Sequence, residues 1–194
     1  MDKDELWEEL KFETGTMHRT NSLKEDEEIL LGSGNRNGKI LFIGDDSDLY
    51  ETSDLKVAAG SSGEFLIKLC DIVDIVPDDY YITTLTKNEM KYRELFDDEK
   101  RKLKDLLDMQ IALIEPKIIV ALGQDTAELL FEKEIDMGNM RGEIQQWRGG
   151  IKVITTYDVN FAKKSRDSSG KKSKVALDFW NDLKTVKRLL DEEN

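Results

Sequence analysis

Pro116-Lys117-Ile118-Ile119-Val120-Ala121-Leu122-Gly123 is the stretch on which the fold turns. Proline breaks the helical pattern before it, glycine ends the run, and the residues between are apolar without polar alternation. Such a run suits a strand buried on both faces, as in a parallel sheet. Upstream, Leu103, Leu106, Leu107, Ile111 and Ile114 fall on one face of a helix. That helix opens at Asp97-Asp98-Glu99, whose charges complement the positive end of its dipole. Downstream, Thr126 to Phe131 reads as a shorter helix packed directly after the strand.

The same grammar repeats outward. Lys39-Ile40-Leu41-Phe42-Ile43-Gly44 is a second apolar run stopped by glycine and an acidic turn. Tyr80-Tyr81-Ile82-Thr83-Thr84 is aromatic and β-branched, with Pro77 and two aspartates ahead of it. Lys152-Val153-Ile154-Thr155-Thr156 is the fourth strand. Gly63 to Val73 reads as a helix with Phe65, Leu66 and Leu69 inward. Ala176, Phe179, Trp180, Leu183, Val186 and Leu190 give a C-terminal amphipathic helix, and Leu6, Trp7 and Leu10 a small N-terminal one. The polar stretches at about 13–28 and 163–173 read as surface loops. Strands alternating with helices imply an α/β domain with a parallel sheet and right-handed crossovers. Ligands then sit at the carboxyl ends of the strands: Gly44–Tyr50, Thr84–Asn88, Gly123–Asp125 and Tyr157–Asn160.

Composition narrows the chemistry. The 194 residues suit one domain with small appendages. There is no apolar run of the ~20 residues a membrane span needs. The start, MDKDELWEEL, lacks the basic and apolar segments of a signal peptide, so a cytoplasmic protein is the default expectation. One cysteine, Cys70, excludes a disulfide framework, a multi-cysteine zinc site and an iron–sulfur cluster. One histidine, His18, excludes a multi-histidine metal site, and its polar surroundings read as a loop. Forty-one acidic residues against 29 basic ones give a charge of −12, which repels phosphate backbones on average. Any nucleic-acid contact needs a local basic patch. The segment FAKKSRDSSGKKSK at 161–174 supplies one, with Lys163, Lys164, Arg166, Lys171, Lys172 and Lys174 against a single acid.

Asp45, Asp46 and Asp48 follow the first long strand and Asp158 the last. Clustered carboxylates raise one another's pKa and can serve as general bases or bind a hard cation; the same residues also suit a solvated acidic turn. The small, flexible Leu55–Gly63 segment leads into a helix and can cradle an anion, but it lacks the lysine of a phosphate-binding loop. No nucleophile constellation is present. Cys70 lies on the apolar helix face beside Leu66 and Leu69 and reads as a buried structural thiol.

The order of segments resembles the uracil-DNA glycosylase superfamily, in its bacterial and archaeal family-4 form, over about residues 17–190. The stretch 116–123 with Ala127 is similar to P-K-x-I-V-A-L-G-x-x-x-A, and Gln110-Ile111 match the helix before it. Arg141-Gly142, Gly149-Gly150 and Val153–Tyr157 resemble R-G … G-x-x-V-I-x-T-[YF]. Ala59–Leu66 resembles V-G-R-A-G-x-L-L, Tyr81–Lys87 resembles Y-I-T-N-x-V-K, and Asp182-Leu183 sits in the expected final helix. The resemblance implies a three-layer α/β/α sandwich around a central four-stranded parallel sheet. It divides the chain into an N-terminal helix and polar lead-in (1–30) packed on a glycosylase-like domain (31–194).

The family's chemistry is hydrolysis of the uracil–deoxyribose bond in DNA repair by base excision, with the base flipped into a pocket. Carried over position by position, Asp45 takes the place of the acidic residue that positions water in G-E-x-P-G, with Asp46 beside it. Ala58 aligns with the phenylalanine that stacks on uracil, and Thr84 with the asparagine that reads its edge. Asp158-Val159-Asn160 stands for H-P-S, so Asp158 replaces the histidine that donates to the departing base and Asn160 lies in the base pocket. The family's four cluster-binding cysteines are absent, with Met17 and His18 roughly where the first pair would fall; no iron–sulfur cluster, other cofactor or metal is expected. The segment after H-P-S contacts DNA in the family, which places 163–174 as a loop against single- or double-stranded DNA. Three functions follow as expectations. The first is a degenerate active site with a nucleic-acid- or nucleotide-binding role. The second is an active glycosylase for uracil or another deaminated base. The third is a phosphoesterase in which Asp45, Asp46, Asp48 and Asp158 hold a divalent cation.

Overall fold

In the computed structural model the described residues are 2–19, 30–50, 57–87 and 90–193. The central strands are β2 (Ile40–Gly44), β3 (Tyr80–Thr84), β4 (Ile118–Leu122) and β6 (Lys152–Thr156). They pair in parallel in the order β3-β2-β4-β6. Two short antiparallel strands extend this sheet: β1 (Ser33–Gly34) on β3 and β5 (Ile144–Gln146) on β6. The expected four-stranded sheet is thus the parallel core of a six-stranded one. Neither edge strand carries an apolar run, because each pairs on one side only and β5 is largely exposed.

Strand alternation sorts the core into two layers. Ile40, Phe42, Ile118, Val120, Leu122 and Ile154 point to one face. There they meet α2 (Ser62–Ile72), α6 (Val159–Ser169) and α7 (Lys174–Glu192) through Leu66, Cys70, Ala162, Phe179, Leu183 and Val186. Leu41, Ile43, Ile119, Ala121 and Val153 point to the other. They pack on α1 (Lys3–Arg19), α3 (Asp97–Ile114) and α4 (Gln124–Phe131) through Trp7, Leu10, Leu107, Ile111, Ile114 and Ala127. A four-residue helix α5 (Met137–Met140) precedes β5. β2 and β4 are buried on both faces, which is why each reads as an unbroken apolar run.

Two expectations are corrected. The N-terminal helix is 17 residues long and runs to Arg19, so residues 13–19, including the backbone of His18, are helical rather than looped. Residues 20–29 of that stretch lie outside the described residues. The 163–173 segment is also not a loop: α6 continues to Ser169, and a 3₁₀ turn at Gly170–Lys172 leads to α7. Its helicity rests on polar devices that leave no apolar period. Asp158 caps its start, accepting from the Phe161 N–H, and Lys163 pairs with Asp167 one turn on. No described helix is long and apolar enough to cross a membrane.

Candidate active site

The carboxyl ends of β2, β4 and β6 meet where a parallel sheet places its ligand cleft. After β2, Asp45 and Asp46 are 9% and 7% exposed. Asp45 is clamped from an unexpected side: the Tyr92 N–H donates to both its carboxylate oxygens, at 3.2 and 3.0 Å. The Lys91 ammonium donates to its backbone carbonyl. Burial pushes the Asp45 carboxyl up to about 6; the Tyr92 N–H and Lys91 oppose this, and the charges of Asp125 and Asp158 add to it. Asp46 uses Oδ1 to cap the turn at Ser47–Leu49, accepting from the Asp48 N–H at 3.0 Å. Its Oδ2 is buried with no hydrogen-bond partner among the described residues.

Asp158 approaches from β6. It caps α6 through the Phe161 N–H at 2.9 Å. It also packs against Gly123 at the end of β4, whose added Cβ would stand 3.5 Å from the Asp158 Cβ. Burial holds its carboxyl above the ordinary range; the Phe161 N–H and Lys91 pull it down, and Asp46 pushes it up. Asp45, Asp46 and Asp158 therefore share one electrostatic environment with Lys91. Among the described residues, no group of three or more His, Cys, Asp or Glu side chains could hold a metal ion.

The remaining positions are placed as follows. Thr84 is 2% exposed, and its hydroxyl donates to the Thr86 carbonyl and lies 3.3 Å from the Tyr50 hydroxyl. Tyr50 in turn donates to the Leu30 carbonyl at 3.2 Å. Ala58 is exposed in the turn that leads to α2, where its carbonyl accepts from the Ser61 N–H. Asn160 sits half-buried in the first turn of α6. Lys164, Arg166, Lys171 and Lys172 are exposed without an ion pair among the described residues, whereas Lys163 and Lys174 are paired with Asp167 and Asp178. Phe161 is half-exposed and meets the Tyr157 ring edge-on at 5.6 Å.

Behind the cleft, Arg141 grips Asp182 with one guanidinium nitrogen at 2.7 and 2.8 Å from its two oxygens. Thr156, the last residue of β6, donates to the same carboxylate at 2.6 Å. Gly142, at φ +77°, is needed here because a Cβ would stand 2.6 Å from Asp182 Oδ1. The Arg141 guanidinium also covers the Tyr157 ring.

This arrangement meets its match in known proteins. Residues 31–184 fit the family described as Uracil DNA glycosylase superfamily. The chain belongs to this superfamily. It is 26% identical over 179 residues to the Type-4 uracil-DNA glycosylase of Thermotoga maritima, covering 91% of this chain and 87% of that protein. Against the protein of the same name from Archaeoglobus fulgidus the identity is 27% over 134 residues, covering 65% and 67%. Against that from Saccharolobus solfataricus it is 31% over 130 residues, covering 63% and 60%. The α/β/α architecture is the superfamily's own. A cluster held by four thiolates does not fit this member. Its single cysteine, Cys70, is 1% exposed on α2, packed in the layer of Leu66 and Phe179. Burial in that layer pushes the thiol far above its usual range, away from the thiolate a metal needs.

Sequence reasoning missed Lys91 and Tyr92. Asp45 is held by a backbone N–H, which any residue supplies. Only the run Lys91-Tyr92-Arg93, basic and aromatic after the third strand, could have marked the segment.

Proposed function

We propose that this superfamily member binds nucleic acid without efficient uracil excision. The observation that carries this reading is the commitment of Thr84. An edge reader needs a free donor and acceptor, yet the Thr84 hydroxyl gives its one proton to the Thr86 carbonyl and is sealed from solvent, with the Tyr50 hydroxyl 3.3 Å away. Asp158 supports it: a carboxylate opposes the negative charge that grows on a departing uracil. Ala58 offers no ring for stacking. Nucleic acid would lie along the exposed Lys164, Arg166, Lys171 and Lys172 on α6 and the following turn.

The test is single-turnover cleavage of single-stranded DNA carrying one uracil, at protein excess. No abasic product is expected. In a parallel binding titration, Lys171→Glu with Lys172→Glu is expected to weaken DNA affinity by roughly tenfold and to flatten its salt dependence. Unchanged affinity and slope would remove the basic surface from the reading.

A second reading has one observation in its favour. Asp45 is a cleft carboxylate held in place by Tyr92 and pushed up to about 6, a value suited to a base that positions water near neutral pH. Uracil release by the wild type that disappears in Asp45→Asn would establish an active glycosylase instead.

A further inference from the structure

The basic surface of α6 continues into a groove. Lys163, Arg166 and Asp167 recur at helical spacing on the side of α6 that meets α2. With Glu64, Phe65 and Lys68 of α2 they line an open recess of about 310 Å³. The Phe65 ring packs on Phe179 at 6.3 Å and gives the recess one fixed apolar wall.

The charges of the groove do not cancel. Glu64 is committed: Lys68 pairs with one carboxylate oxygen at 2.9 Å, and the Gly60 N–H donates to the other at 2.7 Å. These two partners hold its carboxyl below the ordinary range, and Lys163 adds to the effect from the facing helix. Asp167 is committed to Lys163 at 3.0 Å. Arg166 is left over, exposed and without an ion pair among the described residues. Among the described residues three cations thus face two carboxylates, an excess of one positive charge in a chain of net charge −12. Both pairs join residues one turn apart on partly exposed helix faces, where such contacts are weak and exchange readily for another anion. The groove also lies at the start of α2, where the Ser61 hydroxyl accepts from the Glu64 N–H and the helix dipole adds positive potential.

We propose that this groove seats a backbone phosphate of single-stranded DNA, with Arg166 as its anchor and Lys68 and Lys163 turning from their carboxylates toward it. This rests on the reading that the protein binds nucleic acid and gives the strand a path, from Lys171 and Lys172 over α6 to α2. A single strand can lower one phosphate into a recess between two helices and lay its sugar on the Phe65 wall. A duplex presents its backbone on a rod too wide to enter.

The experiment titrates the full chain against a fluorescent single-stranded oligonucleotide and against its duplex, from about 50 to about 200 mM salt. The variants are Lys68→Ala, Arg166→Ala and Asp167→Asn, all at exposed positions, with circular dichroism confirming the fold. Arg166→Ala is expected to weaken single-strand binding by about five- to tenfold and to lower the salt slope by about 1. Lys68→Ala is expected to weaken it by about threefold. Asp167→Asn acts in the opposite direction, tightening binding by about threefold, because it releases Lys163 and removes a repelling carboxylate. A merely structural role for these helix residues would not tighten binding. If Lys171→Glu with Lys172→Glu weakens binding while Lys68→Ala and Asp167→Asn leave it unchanged, the strand stays on the outer face of α6; the groove is then overturned and the nucleic-acid reading stands. Equal effects of the variants on the duplex overturn the assignment to a single strand. A wild type that binds neither form at any salt overturns both readings.

Discussion

Asp182→Ala is expected to lower the unfolding free energy by about 3 kcal/mol, the cost of removing one partner from a buried charge pair. The carboxylate side chain is 6% exposed and serves two elements at once: Arg141 before β5 and Thr156 at the end of β6. Its removal leaves the Thr156 hydroxyl buried without its acceptor and the half-buried Arg141 without its main counter-ion, with Asp178 at 3.8 Å the remaining one. Burial raises the Asp182 carboxyl above the ordinary range with Thr156 and Arg141 opposing it, while Asp182 holds the Arg141 guanidinium above its own usual value; an ion pair so placed is costly to break from one side. The single substitutions Arg141→Met and Asp182→Leu should therefore each cost more than the two combined. Urea unfolding of the four proteins gives the coupling energy directly. If Asp182→Ala costs less than about 1 kcal/mol, the network is not a structural tie. The effect reaches the cleft because Thr156 is followed by Tyr157, which lies under Arg141, and then by Asp158. Loosening this anchor frees the loop that sets Asp158 against Gly123.

What was legible in the sequence follows from what each element must bury. β2 and β4 are sealed on both faces and announce themselves as apolar runs. The amphipathic α3 and α7 announce themselves by spacing, since one face of each meets the sheet and the other meets water. α6 was missed because its burial rests on Val159 and Ala162 alone, while its start is set by one aspartate. Within the site, Asp45, Asp46 and Asp158 could be placed together from topology, because strand ends converge in any parallel sheet. The Tyr50–Thr84 contact could not: it joins residues 34 positions apart through a segment that reads as an acidic turn. The Tyr92 clamp on Asp45 was equally silent, being a main-chain donor.

The stability of the wild type relative to Lys87→Met is expected to rise by about 4 kcal/mol between pH 7 and pH 10. Lys87 follows β3 and turns its ammonium back beneath the sheet, donating to Thr83 Oγ1 at 2.6 Å and to the Thr84 carbonyl. Around it stand Leu10 and Thr14 of α1, Leu31, and Leu103, Leu106, Leu107 and Gln110 of α3, none of which carries charge. Burial there pulls its pKa from 10.5 down to about 7. The sign follows from proton counting. Below pH 7 both folded and unfolded chains hold the proton, and the cost of a buried ammonium is fully present. Between 7 and 10.5 the folded chain has released the proton and the unfolded chain has not, so stability climbs with pH. The buried Cys70 thiol and the Tyr50, Tyr80 and Tyr81 hydroxyls act oppositely over part of that range, since burial raises the pKa of each on folding. Comparing wild type with Lys87→Met cancels those contributions. Methionine fills the same apolar surroundings without charge, and the adjoining cavity of about 10 Å³, beside the Thr14 hydroxyl that has no partner among the described residues, has room for about one water. Urea unfolding at pH 6.5, 8 and 9.5 is the measurement. The two curves should diverge most at pH 6.5, where Lys87→Met is the more stable protein. Parallel curves would mean that the ammonium is solvated in place and that the α1–α3 layer opens around it.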